Sequence, residues 1–261
     1  MPEIGGGLPS SVREKSLFET YGGVPALVVH PSIAADGSLH GGPAPGIVWM
    51  HGRTANKELD PGRFLRLVRA GIASVSLDLP GHGARREDAL QQPERALEVV
   101  ERMADEIDGV VESMRASGLF DMSRVALGGM SAGGMATLVR LCRPHGFRAA
   151  AVECTSGSFA WQRNRAMFEP KRATRLDPIQ HLAGWRAMPL LVLHNRLDAW
   201  IAVEGQREFV EALKARGLAD DVEMHEYGET GAPHEHSGFG RFASDAKDRQ
   251  ANFLIRRLRD A

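Results

Sequence analysis

Short apolar runs alternate with longer amphipathic stretches along most of this 261-residue chain, and glycine-rich turns separate them. The runs are dense in Val, Ile, Leu and Ala, as in strands buried on both faces, and they cover 46–50, 72–77, 125–127, 149–152 and 190–193. The intervening stretches have helical spacing, and 94–117 is the longest. This alternation predicts an α/β fold, a mostly parallel central sheet with helices on both faces.

The pattern runs through the chain without an internal repeat or a low-complexity linker, so we expect one domain over 1–261. Residues 156–180 depart from it, because they hold no strand pattern but several aromatic and basic side chains. We interpret them as a small lid-like insertion before a later strand. Near the N-terminus, two apolar runs flank Gly22 and Gly23, which predicts a β-hairpin.

Charge and cysteine usage exclude several classes of protein. Lys and Arg total 32 and Asp and Glu total 33, a formal net charge of -1, which argues against a nucleic-acid binder. No apolar run has the length of a membrane span, and residues 1–10 lack the pattern of a secretory signal. Cys142 and Cys154 lie in apolar stretches and are expected to be buried free thiols. We therefore expect a cytoplasmic protein without nucleic-acid or membrane partners.

The most specific local signal is the segment 129–133, which reads GMSAG and matches G-x-S-x-G. It follows a predicted strand and precedes a predicted helix. In that context Ser131 stands on a sharp turn, where side chains two positions before and after it would collide. The pattern predicts that Ser131 is a nucleophile beside the positive end of a helix.

A serine hydroxyl needs a base, and the base needs an orienting acid. When the nucleophile stands on such a turn, the acid and then the base follow it along the chain. Asp198 follows the strand at 190–193 and is the predicted acid. The loop after the last strand, 222–227, contains two histidines. We favour His234 as the base and keep His236 as the alternative.

The developing negative charge of acyl transfer also needs preorganised N–H donors. One predicted donor is the backbone N–H of Ala132, directly after the serine. The second is the backbone N–H of Arg53, which follows the strand end at His51 and Gly52.

Taken together, these motifs resemble the α/β-hydrolases, in particular the bacterial carboxylesterase and dienelactone-hydrolase-like group, which is related to the catalytic domains of prolyl oligopeptidases. The matching segments follow the order of that group and are 51–54 (HGRT), 57–58 (KE), 78–85 (DLPGHGAR), 129–133 (GMSAG), 177–179 (DPI), Asp198 with Val203, and 234–235 (HE). The resemblance implies the α/β-hydrolase fold and a triad of Ser131, Asp198 and His234.

The chain departs from that group at two positions. Asn195 stands where a glycine is usual, and because asparagine tolerates a left-handed backbone we expect the turn to survive. Pro233 stands where glycine is frequent before the histidine, which keeps the choice between His234 and His236 open. Dienelactone hydrolases proper use cysteine rather than serine, so their substrate is not expected here.

Two tryptophans are candidates for lining the substrate site. Trp161 lies in the insertion and Trp200 follows the predicted acid by two residues. For each, covering the protein core is an equally good interpretation. No spacing of His, Asp and Glu matches a known metal motif, so we expect neither a metal nor a cofactor.

These observations predict a serine hydrolase of the carboxylesterase type that cleaves short-chain or small carboxylic esters through an acyl-enzyme. Two alternatives remain. One is a small peptidase or other acyl hydrolase, although peptidases of the prolyl oligopeptidase type usually carry a gating domain. The other is a binding protein on a hydrolase scaffold, which the presence of all three triad members argues against.

Overall fold

A computed structural model describes residues 7–259 of the chain. Within this range the chain forms one eight-stranded sheet with the order β1-β2-β4-β3-β5-β6-β7-β8. The strands are β1 Ser16–Tyr21, β2 Val24–Val29, β3 Ala44–Met50, β4 Ala73–Leu77, β5 Phe120–Met130, β6 Ala149–Glu153, β7 Leu190–Asn195 and β8 Val222–Tyr227. The α-helices are α1 Ser10–Arg13, α2 Pro61–Arg69, α3 Ala96–Ser117, α4 Ala132–Leu141, α5 Pro170–Leu176, α6 Val203–Ala215 and α7 Ala243–Leu258.

The sheet is mostly parallel, as the alternation of strands and helices predicted. Strands β3 to β8 pair in parallel, whereas β1 and β2 form the predicted antiparallel hairpin, and β2 pairs antiparallel with β4. The chain order reverses at β3, which lies between β4 and β5. Ligands of such sheets bind beyond the carboxyl ends of the strands near this reversal.

Alternate residues of each inner strand enter different apolar layers. In β3, Val48 and Met50 join the cluster that contains α3, α4 and α6, while Ile47 and Trp49 join the one with α7. A strand covered on both faces must be apolar throughout, and all seven residues of β3 are buried. No helix within residues 7–259 is both long and apolar enough to traverse a bilayer.

Residues 156–184 connect β6 to β7 through short helices rather than strands. The segment comprises 3-10 turns at Phe159–Gln162 and Pro178–Gly184, with α5 between them. Phe159 belongs to the apolar core, whereas Trp161 is half-exposed and its Nε1 donates a hydrogen bond to Glu208 at 2.8 Å. Both cysteines are free thiols; Cys154 is buried, but Cys142 is only half-buried.

His145 is an unfavourably placed polar side chain outside the site described below. It lies between α4 and β6, and neither ring nitrogen has a hydrogen-bond partner among the described residues. Burial lowers the pKa of His145 to about 4, with further contributions from Arg186 and Arg140. Protonation of the unfolded chain below its ordinary pKa of about 6.5 therefore favours unfolding.

We expect His145→Leu to stabilise the protein, by roughly 1 kcal/mol at neutral pH, because it removes two unpartnered polar atoms. The gain should grow as the pH falls from 6.5 toward 4, since only the wild type takes up this proton on unfolding. Burial raises the pKa of Asp177 to about 6, so its protonation stabilises the folded state as the pH falls. This opposite effect is the same in the wild type and in His145→Leu, and it cancels from their difference. Urea unfolding at pH 7.5 and pH 5 measures the difference. The exposed His40→Leu is the control, and an equal gain at both pH values would contradict the account.

Candidate active site

The carboxyl ends of β5, β7 and β8 bring three distant side chains together. Ser131 follows β5 directly, Asp198 lies in the loop after β7, and His236 lies in the loop after β8. Since these strands are parallel, their following loops lie at one edge of the sheet.

Ser131 stands on a strained turn, as the sequence predicted. Its φ is 52° and its ψ is -117°, a backbone conformation that costs a non-glycine residue about 1–3 kcal/mol. A Cβ on Gly129 would lie 2.4 Å from the carbonyl carbon of Gly133, and one on Gly133 would lie 2.3 Å from the oxygen of Met50. The two glycines of the motif are therefore required by close backbone approach.

A continuous chain of hydrogen bonds connects Ser131, His236 and Asp198. His236 Nε2 lies 2.9 Å from Ser131 Oγ, and His236 Nδ1 lies 2.7 Å from Asp198 Oδ2. The other carboxylate oxygen, Oδ1, accepts the backbone N–H groups of Trp200 and Ile201, each at 2.8 Å. Three donors thus fix the carboxylate, whose side chain is fully buried.

The choice of His234 as the base is wrong in this geometry, and the alternative, His236, occupies the position. His234 is exposed, and its ring stacks on Trp200 with a centroid distance of 4.8 Å. Both His234 and Glu235 have positive φ, 55° and 50°, so the chain turns left-handed there and directs the next residue inward. Nothing in the spacing of the two histidines revealed this turn.

Hydrogen bonds of the Glu235 side chain hold this turn. The carboxylate of Glu235 accepts hydrogen bonds from the backbone N–H groups of Thr230 and Gly231, both at 2.7 Å, and from the Thr230 hydroxyl. Glu235 therefore closes the loop on itself, and His236 follows directly after this turn.

Asn195, the first of the two departures from the related sequences, connects the end of β7 to the loop that carries His236. It ends β7 in the strand, so the expected left-handed turn does not form there. Instead its Nδ2 donates to the carbonyl oxygens of Glu235 and Gly238, at 2.6 Å and 2.9 Å. These two carbonyls flank His236, and a glycine at 195 would leave both without this donor.

The predicted N–H donors line the same cleft as Ser131. Both Ala132, the first residue of α4, and Arg53 lie beside the serine in that cleft. Among the described residues, neither backbone N–H makes a hydrogen bond.

His51 holds the strand end that leads to Arg53. Its Nδ1–H donates to the oxygen of Gly52 at 2.7 Å, and its Nε2 accepts the N–H of Leu79 at 3.1 Å. This pairing requires the neutral ring. Burial, together with the nearby charges of His82 and Arg85, lowers the pKa of His51 to about 4 despite Asp78, so the ring stays neutral near pH 7.

Two clefts meet at Ser131. The insertion-side cleft, about 460 Å³, lies between α4 and residues 164–167. The histidine-side cleft, about 510 Å³, lies against residues 237–240 and α2. Ser131, Arg53, Trp200 and His236 line both, so a substrate placed across Ser131 has room on either side.

The two candidate tryptophans differ in position. Trp200 lines both clefts and lies 5.0 Å from the ring of His236, centroid to centroid. Trp161 lines neither and instead covers α6, so its predicted substrate role is not supported. Within residues 7–259, no cluster of three or more His, Cys, Asp or Glu side chains is arranged to hold a metal ion.

The family of the chain follows from comparison with known proteins. A family model described as the alpha/beta hydrolase family matches residues 39–257. The chain belongs to the alpha/beta hydrolase family. A comparison with curated proteins finds no match.

Solved structures agree with this hydrolase fold. TT1662 from Thermus thermophilus has a TM-score of 0.71 at 20% identity, over 94% of this chain and 98% of that one. A puromycin-hydrolyzing peptidase of Mycobacterium tuberculosis has a TM-score of 0.75 at 18% identity, over 94% of this chain and 39% of that one. An acylaminoacyl peptidase of Pyrococcus horikoshii has a TM-score of 0.71 at 20% identity, over 91% and 40%. The hydrolase chain therefore spans about two fifths of either peptidase.

We expect Asn195→Ala to lower kcat/KM about 10- to 100-fold, because small displacements of a catalytic group are costly. The loss should fall on kcat rather than KM, since Asn195 lines neither cleft. Steady-state kinetics with a chromogenic ester measure this split, and Asn252→Ala on the exposed face of α7 is the control. If kcat is unchanged and only the melting temperature falls, Asn195 stabilises the fold but does not position His236, which would contradict this prediction.

Proposed function

We propose that this alpha/beta hydrolase cleaves small carboxylic esters through an acyl-enzyme formed on Ser131. The observation that carries the proposal is the hydrogen-bonded series from Ser131 Oγ through His236 to the buried Asp198 carboxylate. Nucleophile, base and orienting acid at these distances are the arrangement that activates a serine hydroxyl.

In the first half-reaction, Ser131 Oγ attacks the ester carbonyl carbon while His236 Nε2 accepts the hydroxyl proton. Asp198 accepts the Nδ1–H of His236, which fixes the tautomer and stabilises the imidazolium. The carbonyl oxygen becomes an oxyanion, and the backbone N–H groups of Arg53 and Ala132 are the donors that receive it. The C–O bond to the alcohol then breaks, and the alcohol leaves with the proton from His236.

In the second half-reaction, water takes the place of the alcohol. His236 accepts a proton from the water as its oxygen attacks the acyl carbon, and the same N–H groups stabilise the second oxyanion. Collapse breaks the bond to Ser131 Oγ, which regains its proton from His236. The net reaction consumes one water and releases an acid and an alcohol.

The clefts favour small substrates. Each has a volume at the lower end of the range for small-molecule sites, and the insertion contributes residues 164–167 to only one of them. Hydrolysis of small amides or peptides is the second candidate, because the structural neighbours include proteins described as peptidases. The same triad attacks both bond types, so matched esters and amides of one acyl group distinguish them.

We expect Ser131→Ala to abolish turnover across a panel of 4-nitrophenyl esters of increasing acyl length. His236→Ala should lower kcat by about 10⁴-fold or more, since serine loses its base. The matched variant His234→Ala removes a neighbouring exposed ring and should leave kcat nearly unchanged. Rates that survive in Ser131→Ala, or fall in His234→Ala but not in His236→Ala, would contradict the mechanism.

A further inference from the structure

The charged side chains that line the insertion-side cleft are positive. Among the described residues that line it, two are arginines, Arg53 and Arg165, and none is acidic. The remaining lining is largely apolar and includes Met135, Met167 and Ile201. A cleft with two cationic groups over an apolar floor is complementary to an anionic ligand with an aliphatic part.

Arg53 has no carboxylate partner in an ion pair among the described residues. Its Nη1 donates to the backbone oxygen of Gln91 at 2.5 Å, which leaves its charge uncompensated at close range. The guanidinium is half-buried, and burial lowers its pKa while the charge of Glu94 raises it. A partly desolvated cation without a close counter-ion attracts an anion more strongly than an exposed one.

Arg165, an exposed side chain of the insertion, lines the same cleft. Its Nη1 donates to the backbone oxygen of Ala199 at 2.9 Å, next to Asp198. In residues 7–259 it also makes no ion pair, so several of its N–H donors remain for a ligand. The bond to Ala199 holds the guanidinium beside the cleft, which reduces the entropy lost when an anion binds.

Several other arginines near these elements are compensated by carboxylates. Arg172 and Arg175 of the same insertion both pair with Glu101, and Arg63 in the histidine-side cleft pairs with Glu153 and Asp60. Lys247 of that cleft also pairs with Asp60. Arg53 lines both clefts, so the insertion-side cleft differs from its neighbour in carrying Arg165 and in having no acidic residue among its described lining.

We propose that the insertion-side cleft binds a carboxylate of the substrate. The enzyme then prefers esters in which a short aliphatic spacer separates an anionic group from the scissile bond. The inference rests on the proposed function and names its substrate class. Arg53 and Arg165 bind the carboxylate, and Met135, Met167 and Ile201 contact the spacer. The carboxylate belongs either to the acyl or to the alcohol part, and matched substrates separate these cases.

The kinetic test compares two pairs of esters. 4-Nitrophenyl hydrogen glutarate against 4-nitrophenyl pentanoate places the charge on the acyl part, and 4-acetoxybutanoate against butyl acetate places it on the alcohol part. We expect kcat/KM to favour the anionic member of one pair by about tenfold, as for a charge-assisted hydrogen bond. The preference should weaken as ionic strength rises, because salt screens partly exposed charges.

Arg165→Gln should lower kcat/KM for the anionic esters and thereby remove most of that preference. Arg163→Gln is the matched control, since Arg163 is exposed on the same insertion but does not line the cleft. Arg165→Glu should reverse the preference toward the neutral member. Equal kcat/KM for both members of both pairs, or a preference that Arg165→Gln leaves intact, would overturn the inference.

A binding measurement keeps this test independent of catalysis. In Ser131→Ala, calorimetry should show monomethyl glutarate binding more tightly than methyl pentanoate if the carboxylate belongs to the acyl part, or 4-acetoxybutanoate binding more tightly than butyl acetate if it belongs to the alcohol part. The added Arg165→Gln should abolish the difference. If neutral esters are cleaved without any anionic preference, the proposed substrate class fails while the esterase function stands. If no ester is cleaved but the calorimetric difference is present, the esterase function fails and the carboxylate site stands.

Discussion

The strained turn at Ser131 is the constraint on which the rest of the site depends. Ser131 keeps its φ of 52° because β5, α4 and β3 pack closely together around it. This packing leaves no room for a Cβ at Gly129 or at Gly133. The sheet and helix contribute the energy that maintains this turn, and the turn presents Oγ and the N–H of Ala132 at the same point. The packing of the core and the geometry of the site therefore depend on each other, because any change that separates α4 from β3 also displaces the Ser131 hydroxyl.

The proposed acid and base, Asp198 and His236, lie in loops outside this packed turn, and hydrogen bonds to the backbone fix these loops instead. Asn195 connects the end of β7 to the carbonyls on either side of His236, and the N–H of Ala199 donates to the carbonyl of His234 at 3.0 Å. The carboxylate of Glu235 closes the base loop on itself. The positions of Asp198 and His236 are thus set jointly, which preserves the hydrogen bond between them when either loop moves.

Much of the fold and part of the site could be predicted from the sequence, for different reasons. The parallel sheet followed from apolar runs, and the turn at Ser131 followed from glycine spacing, because both patterns report local sterics. Asp198 follows the end of β7, and the alternation of strands and helices was enough to locate that strand end. The base could not be chosen this way, since the left-handed residues His234 and Glu235 are stabilised by contacts with Thr230 and Trp200 that no local pattern encodes. Trp161 illustrates the same limit, because its partner Glu208 is distant in sequence.

The central claim is that Ser131 is the activated nucleophile of this alpha/beta hydrolase. The most direct measurement is labelling of the native protein with a fluorophosphonate probe, followed by mass-spectrometric mapping of the modified peptide. The account predicts one label per chain on Ser131 and none after denaturation, because only the folded site activates the hydroxyl. Labelling at another residue, or equal labelling of the native and denatured chains, would contradict it.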